Sequence, residues 1–347
     1  MRWFLGLLLV IALVTGALYG VGTLLLPNTL EVTRSIEIDR PRATVFAMAN
    51  DLRIVKEWSP YYARDPDAEY QFSGEGPGAG QTMRWQSDVR DVGSGRMSIV
   101  ASEQNQFVET ILELGDRATL NTRLNVARQP ENKTNVSWSV SAACAEGYIN
   151  VPCRYMNLIM RQMVERDLDA GLARLKTLAE QLPDIDFETL QSTIEPIEPQ
   201  TYVYAQVTAP TNNPPEAEQA SSAARTQVEN FMANNSMVRA GDLIRVATEW
   251  DANAQRTSFR IGYPFSGPTP LTVVGVQIGQ TPSGEAIHVT HRGPRAAIPN
   301  TYAKIYAYLQ AHRIEMREGG LPWEVVRAEG TTDGAVPADI EIYVPLQ

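Results

Sequence analysis

Hydrophobic and polar positions alternate with two different periods along this chain, and one long stretch shows no alternation at all. From Trp3 to Leu26 every residue is apolar or small apart from Thr15 and Thr23. A helix of that length, at ~1.5 Å per residue, would cross a ~30 Å hydrocarbon core with some tilt. Trp3 and Tyr19 would sit near the interfaces. A cleavable signal peptide is the competing reading. Its apolar core should be shorter and followed by a small-x-small site, and no clean A-x-A site precedes Pro27. The uncleaved anchor, residues 1–28, is therefore the expectation. Arg2 and the amino group favour a cytoplasmic N-terminus, with the soluble part outside the cytoplasm in a bacterial inner-membrane, periplasmic arrangement.

Beyond the anchor the period becomes two. Leu30-Glu31-Val32-Thr33-Arg34-Ser35-Ile36-Glu37-Ile38 reads as a half-buried strand. Pro41 starts a short helix to Asp51, with Val45, Phe46 and Ala49 on one face, and a second short helix follows at 54–58. Strands are predicted over 82–89, 95–102, 107–114, 119–127 and 135–143. A long amphipathic helix then covers 156–182, with Ile159, Met163, Leu168, Leu172, Leu175 and Leu178 near helical spacing. Residues 183–199 are acidic and carry Pro183, Pro196 and Pro199, which reads as a linker.

From residue 200 strands and helices mix again. Strands are predicted at 201–208, 243–250, 257–263, 271–280, 285–291, 323–329 and 339–345, and helices at about 214–234 and 299–313. Both segments mix helices with mostly antiparallel strands, an α+β class.

Composition narrows the function. The 347 residues suffice for about two domains, and 40 Asp+Glu against 30 Lys+Arg give a net charge of −10. This disfavours nucleic acid as a partner, because phosphate binding needs clustered cations. Two cysteines and three histidines leave little for metal chemistry, and no cofactor is expected. His288 and His291 differ by an odd number in a strand and so face opposite ways. His312 reads as a helix-end residue. Cys144 and Cys153 bracket a Gly-containing turn. A disulfide between them and two unlinked buried thiols are both open readings. Neither G-x-S-x-G nor a phosphate-binding Gly-rich loop occurs, and Gly93-Ser94-Gly95 reads as a turn.

Two family resemblances supply the rest. Ser35-Ile36-Glu37-Ile38-Asp39-Arg40-Pro41 leading into Val45-Phe46 carries the first. Asp51-Leu52, Trp58-Ser59-Pro60, Gly76-Pro77-Gly78-Ala79-Gly80, Met83-Arg84-Trp85 and Gly171-Leu172-Ala173-Arg174-Leu175-Lys176 follow in order. Together they resemble the SRPBCC superfamily, the START-like, polyketide-cyclase/dehydrase group, over residues 29–182. The resemblance implies a helix-grip fold around an apolar cavity, used for lipids, polyketides or hormones, with only some members enzymes.

His291-Arg292-Gly293-Pro294, Tyr302 and Tyr306, Pro322-Trp323-Glu324 and the terminal Asp339–Leu346 run resemble the gyrase-inhibitor-like (GyrI-like) effector-binding domain, over residues 200–347. That resemblance implies a pseudo-twofold pair of strand–helix–strand units around a cleft. Glu324 matches an acidic residue that meets cationic aromatic ligands. Val326 stands where an aromatic residue is usual. No basic recognition helix accompanies it, which disfavours a transcription factor.

Candidate ligand-binding residues are accordingly Glu324, Trp323, Tyr263, Tyr302, Tyr306 and Trp250, with Phe265, Tyr202 and Tyr204 as further candidates. In the first segment they are Trp58, Tyr61 and Tyr62, placed in a Pro-containing loop, and Trp85, with Tyr70 and Trp138 also considered. For each aromatic, core packing is the competing reading. For Glu324 it is an ordinary exposed strand residue. Arg84 and Arg123 would either anchor an acidic head group or face solvent. The expected function is membrane-anchored capture of an apolar or amphipathic small molecule. The alternative is a hydrolase or cyclase acting on a hydrophobic substrate, with Glu324 as general base.

Overall fold

A computed structural model describes every residue except Met1, Asp116, Arg117, Tyr148, Ile149, Ala252, Asn253 and residues 271–273 and 332–334. The side chains of Arg2, Leu5, Pro214, Trp250 and Asp251 also lie outside the description. The chain divides into two compact units, Met1–Glu188 with Ala311–Arg313, and Thr189–Gln310 with Ile314–Gln347.

The first unit opens with α1 (Arg2–Leu25), whose Gly6–Leu25 stretch is long and apolar enough to cross a membrane. β1 (Thr29–Ile38) follows, then three short helices, α2 (Arg42–Ala49), α3 (Leu52–Trp58) and α4 (Pro60–Arg64). β2 (Glu69–Ser73), β3 (Thr82–Gln86), β4 (Gly95–Glu103), β5 (Phe107–Glu113), β6 (Thr119–Arg128) and β7 (Thr134–Ala143) form a meander, and α5 (Asn150–Ala179) closes it. The seven strands make one antiparallel sheet in the order β1-β7-β6-β5-β4-β3-β2. Alternation sets its inner face: Val136, Trp138 and Val140 on β7 and Leu120, Leu124 and Val126 on β6 are buried, while their neighbours are more exposed. Against this face α5 presents Leu168, Gly171, Leu172, Leu175 and Ala179.

Two expectations change here. Of the residues placed in a loop, Tyr61 and Tyr62 stand on α4, and Trp58 ends α3, the helix predicted at 54–58. Both helices are capped locally: Asp51 accepts from the Arg53 N–H, and Ser59 accepts from the Tyr61 N–H with Pro60 in the first turn. The long helix also carries two apolar stripes rather than one, because Ile159 and Met163 are exposed while Leu168, Leu172 and Leu175 are buried. Cys144 and Cys153 are joined in a disulfide beside the start of α5.

The second unit comprises β8 (Ser192–Ile197), β9 (Thr201–Pro210), α6 (Pro214–Asn234), β10 (Val238–Arg239), β11 (Leu243–Asp251) and β12 (Arg256–Ser266). It continues through β13 (Gln277–Gln280), β14 (Gly284–Gly293), α7 (Ile298–Ala311), β15 (Trp323–Ala328) and β16 (Ala338–Pro345). The main path of its antiparallel sheet runs β13-β9-β12-β11-β15-β16-β14-β8, with β10 added on β12. The order is palindromic: β9-α6-β11-β12 and β14-α7-β15-β16 are two copies of one strand–helix–strand–strand unit, meeting where β11 pairs β15. The expected pseudo-twofold arrangement is thus present in the topology.

The segment expected as a linker is a correction. Ser192–Ile197 is a strand, paired with β14 from Gly284↔Ile197 to Val289↔Ser192. It covers the outer edge of one copy as β13 covers the other, and Pro196 is tolerated because β8 is itself an edge. The apolar core lies on the helix face of the sheet, where Val203, Ala205, Val207, Ile261, Ile340, Ile342 and Val344 meet Val228, Ile305 and Leu309. A smaller cluster of Tyr202, Tyr204, Ile244, Val246, Ala286 and Trp323 covers part of the opposite face.

Candidate functional site

The second unit holds a cleft of about 740 Å³ between its sheet and the starts of its helices. Arg245 and Ala247 of β11, Thr257 and Phe259 of β12 and Glu324 of β15 form the floor. Glu218 and Ser221 of α6, Arg295 just before α7 and Tyr302 of α7 form the walls. A bulge displaces the β11–β12 register between Ala247 and Glu249, at the cleft floor.

Charge is organised around the junction of the two copies. Arg245 and Glu324 are directly opposite across β11 and β15, with a guanidinium–carboxylate distance of 3.8 Å and both side chains mostly buried. Opposite charges facing each other across a strand pair attract. Arg245 also reaches Glu329 at 3.1 Å, and Arg225 donates to Glu329 at 2.8 Å. Burial alone would raise the Glu329 carboxyl. The bond from Arg225 and the charges of Arg245, Arg225 and Arg295 outweigh that and hold it below the usual carboxylate range. Arg295 pairs with Glu218 at 2.8 Å across the cleft wall.

Tyr302 donates its hydroxyl to Glu324 at 3.1 Å. Burial, then the negative charge of Glu324, push this phenol well above its ordinary value, so it remains a donor across the working pH range. A carboxylate with one phenol donor and a guanidinium on one side keeps acceptor capacity toward the open cleft.

Of the other expected residues in this unit, Tyr306 stacks against Tyr302 at 6.1 Å one turn along α7, and Tyr263 donates to Glu229 at 3.0 Å. Burial, then Glu229, raises Tyr263 to about 12. Trp323 points to the opposite face from Glu324, as its neighbouring position in a strand requires, and stacks on Tyr343 at 5.0 Å. Tyr202 and Tyr204 stack at 4.8 Å on that same face. Phe265 packs against the main core. The side chain of Trp250 lies outside the described residues, although its backbone belongs to β11.

His288 and His291 do face opposite ways. His288 lies between Glu195 and Glu341 and stacks on Tyr343, whereas His291 bonds Thr301. His312 follows the end of α7.

Sequence reasoning missed Arg245, Arg295, Glu218 and Glu329. A signal existed for the first. Arg245 is a lone charge in Leu243-Ile244-Arg245-Val246, and the argument that a charge in an apolar strand needs a partner applies to it as it does to Glu324.

In the first unit the aromatic candidates are mostly buried. Trp58 is 2% exposed, donates its indole N–H to Met48 O at 3.1 Å and meets the edge of Trp138 at 5.3 Å. Trp138 donates to Thr122 and packs against Gly171, where an added Cβ would stand 2.8 Å from its ring. Tyr61 stacks on buried Trp85 at 5.4 Å. Tyr62 and Tyr70 sandwich Lys56 Nζ at 5.0 and 4.9 Å. Burial, then Asp65, raises the Tyr70 phenol to about 12. Arg84 is exposed, and Arg123 is engaged by Glu109, Asn125 and the ring of Phe107.

Residues 29–180 match the family described as polyketide cyclase / dehydrase and lipid transport. Over these residues the chain is similar to that family. Solved structures similar to parts of the chain include truncated norcoclaurine synthase from Thalictrum flavum, at 11% identity over 43% of this chain and 92% of that one, TM-score 0.35. A START superfamily protein from Mycobacterium smegmatis is 14% identical over 44% and 97% of the two chains, TM-score 0.32. The C-terminal domain of EcmrR is 12% identical over 46% and 98%, TM-score 0.38. No curated protein matches the chain. The stretches that carried the first resemblance, from the opening strand to the closing helix, fall within this match.

Proposed function

We propose that the protein is a membrane-anchored, non-catalytic receptor for an amphipathic small molecule, and that the cleft of the second unit is where the ligand's polar group is read. In this reading residues 1–28 are the anchor, 29–182 the START-like domain, and the second unit a GyrI-like effector-binding domain. The observation that carries it is Glu324. This carboxylate is set on a strand between apolar neighbours, oriented by Tyr302, and presented to a cleft that Phe259, Ala247, Pro210, Pro215 and Pro322 make largely apolar. Such a site accommodates an apolar or aromatic body with a cationic group near Glu324.

Arg245 refines the expectation, because its charge beside Glu324 makes the floor close to neutral. A compact ammonium that approaches from the Tyr302 side therefore fits better than a broad dication. The α1 helix and the Cys144–Cys153 disulfide support placing both units outside the cytoplasm, where thiols oxidise.

The test is a titration of the detergent-solubilised full chain with an aromatic ammonium and with its sulfonate counterpart of the same apolar body. The ammonium is expected to bind, the sulfonate to bind at least about tenfold more weakly, and Glu324→Gln to remove that preference. Equal binding of the pair by the native protein refutes the reading. The hydrolase alternative draws on the same carboxylate. It predicts turnover of an activated ester, abolished by Glu324→Gln.

A further inference from the structure

The START-like domain carries an apolar surface that its own fold does not cover. Met156, Ile159, Met160 and Met163 recur at the i, i+3, i+4, i+7 spacing of one helical stripe on the first half of α5. Met156 is 54% exposed, Ile159 71% and Met163 47%. The stripe lies roughly a third of a turn round the helix from Leu168, Leu172 and Leu175, which face the sheet. It is therefore not a frayed edge of the core.

Its position relative to α1 says what it faces. The beginning of α5 is fastened to α1: Gly22 lies against Val151 and Tyr155, and the Tyr155 hydroxyl donates to Leu18 O at 2.8 Å. The Arg154 guanidinium donates to the carbonyls of Gly22, Thr23 and Leu26. Cations at a helix C-terminus satisfy its orphan carbonyls and complement its dipole. Leu18 lies seven residues before Leu25, about 10 Å along the helix. If α1 spans, the ring of Tyr155 reaches well below the last turn of the span. Met156 is the next residue, and Ile159 and Met163 follow within two turns.

We propose that this stripe of α5 is a second membrane contact, seated in the acyl-chain boundary of the phospholipid bilayer beside α1, so that the START-like domain lies against the lipid surface rather than hanging from a flexible tether. The proposal rests on α1 being the anchor of the reading above. It commits to lipid because α5 is bonded to the one segment, among the described residues, that is apolar enough to span, and its bond to Leu18 lies inside that span. Exposed apolar side chains there lose contact with water.

The test is photo-cross-linking in the full chain, reconstituted in phosphatidylethanolamine–phosphatidylglycerol vesicles. A diazirine residue replaces Ile159, or Ile11 in α1, or Val100, which is exposed on β4. Lipid adducts at both Ile11 and Ile159, with none at Val100, are the expected result. Adducts at Ile11 but none at Ile159 overturn this proposal and leave the anchor standing. None at either site removes both. Lipid adducts at Ile159 without any at Ile11 remove the span and overturn the proposal of a second contact beside it. A protein–protein adduct at Ile159 instead of a lipid one assigns the stripe to a second chain and overturns the proposal.

Discussion

The two units solve the same packing problem in opposite ways. Each sets helices against one face of an antiparallel sheet. In the first unit the space beside α5 receives large aromatics. Gly171 has no side chain, so Trp138 closes against the helix, Trp58 meets its edge, and both indole N–H groups find acceptors. In the second unit the corresponding layer opens into a cleft whose floor holds Arg245 and Glu324. Charged groups cannot be collapsed upon without desolvation, so the cleft stays open and keeps directional chemistry at its floor. The difference teaches where to look for ligand specificity. Packed aromatics stabilise a domain, whereas oriented charges in an open apolar cleft cost stability and are retained for what they contact.

Breaking the second unit should give the largest effect. A Cβ on Gly262 would stand 1.9 Å from Val203 O, across the β9–β12 pair. Gly262→Ala must separate backbones that cannot move independently, and a loss of more than about 4 kcal/mol is expected. Thermal unfolding of the solubilised chain followed by circular dichroism would report it as loss of a cooperative transition or failure to accumulate.

The contrast is sharpened in the first unit by Gly171→Ala, whose Cβ would stand 2.8 Å from the Trp138 ring and at ordinary contact distance, 3.5 Å, from Pro60. A ring can shift, so about 1–3 kcal/mol is expected, with a perturbed near-ultraviolet tryptophan signal and ligand binding in the second unit retained.

The smallest effect concerns pH. The folded pKa of Glu329 lies below its unfolded value, so its contribution is full above the unfolded value and is lost as pH falls through the folded one. About 1–2 kcal/mol is expected from its bonds to Arg225 and Arg245. Glu329→Gln should flatten the acid limb of the stability–pH curve. An unchanged acid limb would show that this network does not hold the cleft.

Much of the architecture was legible because alternation and helical spacing are local signals. β1 and β5 to β7 alternate buried with more exposed positions, whereas β9, β12 and β16 hold runs of consecutive buried residues that read as short apolar stretches. What escaped was set by distant partners. β8 carries Pro196 in an acidic, proline-flanked stretch and becomes a strand where β14 offers it an edge. β2 is a short edge strand with no fully buried residue to announce it. Glu324 was legible as a charge among apolar neighbours, but its counter-charge Arg245 lies on a strand about eighty positions earlier, and only the β11–β15 register joins them. Trp323 shows the converse: adjacency in sequence to Glu324 places it on the other face. Ile159 and Met163 shared one helical spacing with Leu168, Leu172 and Leu175 in the sequence, yet they are exposed. Spacing identifies a face and not what covers it.

The central claim is that the cleft around Glu324 and Tyr302 selects a small amphipathic molecule. It is tested most directly by native mass spectrometry of the full chain extracted gently from its own host membrane, beside Glu324→Gln prepared identically. The account predicts a retained small molecule of cationic amphiphile character on the native protein, released on denaturation and depleted in the variant. The same molecule retained equally by both, or an anionic molecule retained by the native chain, would contradict it.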